Sequence, residues 1–280
     1  MNNVFAQIAE RLQRPPLWID FEAYAARVFA GAPADWLVNA HRYADAMAQA
    51  QKLVRSDVIA LDLTQAALAK SGPGADLPLA ERLGTWASDP ASHRFNTDVL
   101  DEAFHRLAAQ AALVMALPSP SRLLRAWGVE PPFDFDDLDD VASALVALLR
   151  QHADRRFTAL MIDCDEAGGP SAGELEACAP LQKSANYYGW GVAWRLDAAP
   201  QGEAPAELLA ASSVDVVLLG GWSDAALTVQ GEERLAGGLN DVFWCDEAAC
   251  APSWPGMRFG SIPAQALPER IASRLDLLRC

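Results

Sequence analysis

The chain has 280 residues and a net charge of −15, from 22 lysines and arginines against 37 aspartates and glutamates. Phosphate contacts need clustered Lys and Arg, so this balance excludes a nucleic-acid binder, and no apolar stretch reaches the roughly 20 residues that cross a bilayer. Five cysteines (Cys164, Cys178, Cys245, Cys250 and Cys280) form no CxxC pair and are odd in number, as expected in a reducing compartment.

The N-terminal MNNVFAQIAERLQR has no signal-peptide apolar segment, so a cytoplasmic location is expected. Val4, Phe5, Ile8 and Leu12 recur at helical spacing, and Pro15 and Pro16 stop that helix before the first apolar run, Pro16 to Asp20 (PLWID). A short helix-like stretch follows, then a longer one from Ala34 to Val54 with Trp36, Leu37, Ala40, Ala44 and Met47 on one face. The second run is Asp57 to Asp62 (DVIALD), followed by a turn-rich excursion from Ser71 to Leu79 and a helix from Thr97 to Ala111. The third, Leu113 to Leu117 (LVMAL), leads through an acidic stretch, Phe133 to Asp140, into a helix over Val141 to His152. Carboxylates at a helix start are favoured by the macrodipole, which suffices to explain that stretch.

Five more runs complete the set: Phe157 to Asp163 (FTALMID), Gly191 to Leu196 (GVAWRL), Val214 to Leu219 (VDVVLL), Asp241 to Asp246 (DVFWCD) and Met257 to Ile262 (MRFGSI). Helices are expected between them at Ser171 to Tyr188, Ala204 to Ala211 and Ala225 to Leu235, and after the last at Leu267 to Leu278. Near-continuous apolar runs fit strands covered on both faces, and repeated strand–helix alternation calls for a parallel sheet. Eight such units predict a single α/β domain over residues 1–280, a (β/α)8 TIM barrel with an N-terminal helix lying under its bottom.

In that fold the chemistry sits where strands end. The ends collect Asp20 and Glu22, Asp62, Ser119 and Ser121, Asp163 with Cys164, Asp165 and Glu166, Asp197, Trp222 with Ser223 and Asp224, Asp246 with Glu247, and Ser261. Carboxylates gathered in one concave space repel one another and acquire raised pKa values, which is how acid/base groups are made. Any one Asp also has a local reason to be there, since Asp caps the helix or turn after a strand. Asp62 stands out because it ends the apolar VIAL run. Asp163, Asp165 and Glu166 form the densest group, ahead of Gly168 and Gly169. Asp62, Asp163 and Glu166 are therefore the catalytic candidates, and Asp20, Glu22, Asp165, Asp197, Trp222, Asp224 and Asp246 the substrate-binding ones. An indole at Trp222 with nearby carboxylates would suit a cationic or methylated amine.

Other signatures are lacking. No DxDxDG loop, GxSxG elbow, Walker loop or dinucleotide fingerprint occurs, and the histidines His41, His93, His105 and His152 lie away from the strand ends. No metal site is expected, no cofactor is specified, and the expected partner is a small molecule. Oligomeric state is left open.

PPLWI (Pro15 to Ile19) with the helix pair after it, SDVIALDLT (Ser56 to Thr64), LPSPSRLL (Leu117 to Leu124) and SIPAQALPERIASRL (Ser261 to Leu275) resemble the uroporphyrinogen decarboxylase superfamily. That superfamily also contains zinc-dependent methyltransferases that use methyl-corrinoid proteins. The resemblance implies the same barrel with a deep C-terminal cleft, and places Asp62 where the decarboxylase's catalytic aspartate holds pyrrole NH groups. Decarboxylases carry an RQAGRY segment after the first strand, whereas this chain reads DFEAYAAR from Asp20 to Arg27. A substrate rich in carboxylates needs cations there. The methyltransferases' His-x-Cys pair is absent, and FGSIP stands where their later cysteine falls. The chain is short for the superfamily, so trimmed loops and a shallower cleft are expected. The implied activity is carboxylate acid/base chemistry or methyl transfer on a small organic molecule; the alternative is a catalytically idle barrel that binds a ligand or a protein.

Overall fold

Each apolar run hides a two-residue alternation, and the computed structural model shows what the two phases do. It describes residues 3–31, 39–65, 68, 77–164, 169–197, 206–211, 213–246 and 250–279. The strands are β1 (Leu17–Asp20), β2 (Val58–Asp62), β3 (Ala112–Pro118), β4 (Ala159–Cys164), β5 (Gly191–Leu196), β6 (Val216–Leu219), β7 (Leu235–Gly238) and β8 (Arg258–Ser261). All pairings are parallel, each strand lies beside the next, and β8 returns to β1 to close the barrel. Residues of one phase, such as Leu17, Ile19, Leu61, Ile162 and Trp194, pack against the helices. The other phase, including Trp18, Val58, Val114, Met161, Leu218 and Phe259, fills the interior. A strand buried on both faces shows no polar alternation, hence the unbroken runs.

The helix α1 (Val4–Leu12) seals the barrel bottom. Asn3 caps it, accepting from the amides of Phe5 (2.9 Å) and Ala6 (3.2 Å), and its Nδ2 donates to the Asp215 carbonyl at 3.2 Å. Phe5 stacks on Trp18 with centroids 5.6 Å apart, and Trp18 meets Phe259 edge-on at 6.1 Å. Gly191 permits this approach, because a Cβ there would lie 2.4 Å from Val4 Cγ1.

Between β1 and β2 run α2 (Glu22–Ala25), a single π turn (Ala26–Ala30) and α3 (Ala40–Val54). The expected start of this last helix, with Trp36 and Leu37, lies outside the described residues. After β2, a helix absent from the sequence expectation, α4 (Leu79–Ser88), precedes α5 (Pro90–Leu107), which begins seven residues earlier than the periodicity indicated. Asp89 and Pro90 explain the early start: the Asp89 carboxylate accepts from the amides of Ala91 and Ser92, and proline suits a first helical turn. Beyond β3 come α6 (Pro120–Ala126) and α7 (Phe135–Gln151), the latter taking Asp136 and Asp137 into its first turn. The stretch expected as one helix after β4 is two, α8 (Ala172–Ala177) and α9 (Ala179–Tyr187).

The seventh unit departs from expectation. DVFWC, read as a strand, is the helix α12 (Asp241–Cys245), after α10 (Ala206–Ala210) and α11 (Asp224–Gln230); the strand is Leu235–Gly238, which starts at the residue where a helix was expected to end. Asn240 starts α12 by accepting from the Phe243 amide at 3.2 Å. Glycines make β7 possible: a Cβ on Gly237 would sit 2.9 Å from the Leu219 carbonyl oxygen, and Gly238 has φ of 85°. The helix α13 (Pro268–Arg279) completes the ring. Among the described residues no helix is long and apolar enough to cross a membrane.

Candidate active site

Inward phase and strand register together decide which side chains meet at the C-terminal mouth. On β2 the inward set is Val58, Ala60 and Asp62; on β4 it is Ala159, Met161 and Asp163; on β5 it is Gly191, Ala193 and Arg195. Pro118 lies beside Asp163, Asp163 beside Arg195, and Asp20 beside Ser261 across the β1–β8 seam. Interior alanines below these tops leave space, and a cavity of about 440 Å³ opens over Ala60, Ala116 and Met161. Asp20, Glu22, Asp62 and Asp163 line it with Arg122 and Arg195.

Arg195, passed over in the sequence as part of an apolar run, organises this mouth. Its Nη1 donates to Asp20 Oδ2 at 2.8 Å, Nε to Asp197 Oδ1 at 3.0 Å and Nη2 to Ser261 Oγ at 3.0 Å. Its Nε also stands 3.9 Å from Asp163 Oδ1, and the guanidinium lies 5.7 Å above the Phe259 ring. Burial alone would lower its pKa, but Asp20, Asp163 and Asp197 outweigh that and hold it above the ordinary range, so it remains a cation.

Arg122, the other cation, is delivered by a local device. Ser119 follows β3 and caps α6, its Oγ within 3.2 Å of Ser121 Oγ and 3.5 Å from the Arg122 amide. The buried Glu174 accepts from the Ser121 amide at 3.0 Å and fixes the same turn. Arg122 Nη1 then reaches Asp163 Oδ2 at 2.5 Å, an ion pair without the alignment of a hydrogen bond.

Asp163 is held against two arginines, and still its pKa is pushed up to about 6. Burial is the largest cause; Arg195 and Arg122 pull the other way, while Asp197 and Asp62 add to the rise. Its Oδ1 is buried and makes no hydrogen bond. Glu22 is also raised well above the ordinary value, first by burial and then by Asp62 and Asp20, against the opposing hydrogen bond from Tyr43 and the charge of Arg195. Tyr43 Oη donates to Glu22 Oε1 at 3.2 Å. Its own phenol is raised well above the ordinary value, by burial and then by Glu22. Asp62 Oδ1 accepts from both the amide and the hydroxyl of Thr64 at 2.7 Å, which aims the carboxylate over the cavity.

Of the expected site residues, Asp20, Glu22, Asp62 and Asp163 therefore converge. Asp197 borders a second cavity of about 410 Å³ beside Gly220, Gly221 and Asn240, on the far side of Arg195. Gly220 is needed there, since a Cβ would come within 2.7 Å of Asp197 Oδ1. Three more stand elsewhere. Trp222 is fully buried in the helix-facing core. Asp224 ties the loop before β8, accepting from the Ser253 amide (2.8 Å), the Ser253 hydroxyl (2.6 Å) and the Trp254 amide (2.7 Å). Asp246 follows α12 instead of a strand, because the run that carried it is helical, and its carbonyl accepts from Arg274. Asp165, Glu166 and Glu247 lie outside the described residues.

Among the described residues, no three His, Cys, Asp or Glu side chains come together closely enough to hold a metal ion. The donor set does not fit the zinc of the corrinoid-dependent methyltransferases: among the described residues the cavity lining holds no histidine or cysteine, and Cys164 faces the helical layer. No known family model matches the chain, and no curated protein does.

Proposed function

We propose that the chain is a divergent enzyme of the uroporphyrinogen decarboxylase-like superfamily that binds a small organic molecule over β1–β5 and moves a proton on it. Asp163 in its neutral form is the proton donor, and Asp62 orients the substrate or takes its proton. The carrying observation is Asp163 itself: a carboxyl on the cavity wall, raised to about 6 despite two arginines, with one oxygen free of hydrogen bonds. General acids work best with a pKa near the operating pH, and burial supplies that here.

Uroporphyrinogen is a poor candidate for the substrate. Arg195 and Arg122 are already engaged by Asp20, Asp197 and Asp163, leaving a carboxylate-rich ligand without counter-charges. Acid/base chemistry is favoured over methyl transfer because, among the described residues, no thiol borders the cavity.

The test is a metabolite library incubated with the protein and read by mass spectrometry. Turnover should fall as pH rises through about 6 and be abolished in Asp163→Asn. A variant that keeps full turnover would remove Asp163 from the mechanism, and ligand binding with no turnover by the wild type would favour a binding-only barrel.

A further inference from the structure

Glu174 is a carboxylate whose burial the cavity does not explain. It is 1% exposed and does not line the cavity, and a glutamate is almost never buried to that extent without a partner. Locally it completes a capping-box sequence with Ser171, and half of the box forms: the Ser171 hydroxyl accepts from the Glu174 amide at 3.1 Å. In such a box the glutamate side chain ordinarily returns to the amide of the cap residue. Here it crosses to another helix, where Oε1 accepts from the Ser121 amide at 3.0 Å.

The first turn of α6 needs that outside partner. Pro120 brings no amide hydrogen, Ser119 Oγ takes the Arg122 amide, and the Ser119 carbonyl takes the Leu123 amide. The Ser121 amide is then a buried donor, and buried donors are paired in stable folds. The turn held in this way meets Asp163 at two atoms. The Ser119 amide donates to the Asp163 carbonyl at 2.8 Å, and Arg122 Nη1 stands 2.5 Å from Asp163 Oδ2. Arg122 directly follows Ser121, so Glu174 grips the backbone one residue away from the cation.

Taking Asp163 as the proton donor proposed above, we infer that Glu174 is a positioning residue: its hydrogen bond to Ser121 holds the turn that sets Arg122 against Asp163, and through Arg122 it governs how firmly Asp163 keeps its proton. The sign follows from the groups that face Asp163. Arg122 from α6 and Arg195 from β5 favour its ionised form, while Asp62 from β2 and Asp197 beyond β5 oppose it. Loosening the turn withdraws Arg122 and leaves the other three in place, so Asp163 holds its proton to higher pH. A direct effect of the Glu174 charge has the opposite sign, because removing a nearby carboxylate makes an aspartate easier to ionise.

Carbon-13 NMR titration of the aspartate carboxyls, with the Asp163 signal identified by its loss in Asp163→Asn, tests this without substrate. Glu174→Met, which roughly keeps the volume and loses the acceptor, should raise the Asp163 midpoint by about one pH unit, the lower end of what a neighbouring arginine does to an aspartate. Arg122→Gln should raise it as far, and Glu174→Met should add nothing in that background. Glu174→Gln keeps an oxygen for the Ser121 amide and should titrate as the wild type does. If Glu174→Met does not fold, Glu174→Asp, one methylene shorter, withdraws the oxygen and is read in the same way. The inference is overturned if loss of the acceptor leaves the midpoint unchanged or lowers it, if Glu174→Gln moves it as far as Glu174→Met, or if the shift survives without Arg122. Failure of the proposed proton chemistry would look different: no turnover by the wild type, with these midpoints still moving as described.

Discussion

Asp163 is neutral more often than a surface aspartate because ionising it means burying a charge, and that has a measurable sign. The folded state keeps the proton up to about pH 6, whereas the unfolded chain releases it near the ordinary value of 3.8. This contribution is fully present below the unfolded value and is lost as pH rises through about 6, amounting to about 3 kcal/mol. Asp163→Asn cannot ionise, so urea unfolding should find it close to wild type near pH 4 and more stable than wild type at pH 8. Equal offsets at the two pH values would contradict the raised pKa. Arg195 acts in the opposite way, and Arg195→Gln strands Asp20 and Asp197, costing ~3–5 kcal/mol at neutral pH as read by the same unfolding curves. In the sequence, Asp62 and Asp163 were legible because each closes an apolar run in the inward phase. Arg195 occupies the same phase in GVAWRL, but a cation inside an apolar run looks like noise until its partners from β1 and β8 are seen. Tyr43 was hidden more deeply, since its hydrogen bond to Glu22 joins two helices with no shared motif.

Elements were legible where length and periodicity agreed, and lost where glycine or a cap decided. β5 matches its run residue for residue, while β7 is four residues, LAGG, whose identity as a strand comes from close packing that only glycine permits. VFWC has strand composition, but the Asn240 cap and the room outside the barrel make it helical. Glycine packing is equally tight at β8: a Cβ on Gly260 would fall 1.9 Å from the Leu239 carbonyl oxygen. Gly260→Ala should therefore destabilise by at least ~1–3 kcal/mol in chemical denaturation, the range for overpacking, with backbone rather than a flexible side chain having to move. At the other end, Phe5→Ala removes the ring stacked on Trp18 and should cost ~3–5 kcal/mol, with unchanged ligand affinity at the mouth because α1 lies at the opposite pole.

For the molecule as a whole, the net charge of −15 both repels itself and sets up a field. Salt screens exposed charges over a Debye length of about 10 Å at 0.1 M, so melting temperature should rise with sodium chloride in the low-salt range; a fall would place the dominant electrostatics in ion pairs instead. The same field attracts cations to an acidic mouth and slows anions. Closure of the barrel gives Arg195 one more consequence. Its partners Asp20 and Ser261 come from the first strand and the last, 175 and 66 positions away in the chain. As the chain is made, the arginine waits without its bond to Ser261 and its contact with the Phe259 ring until β8 arrives, so the pairing that shapes the mouth can be completed only when the barrel is. The mouth of the barrel thereby reports on its own assembly: a chain stalled before the final strand has the carboxylates but not the clasp that arranges them.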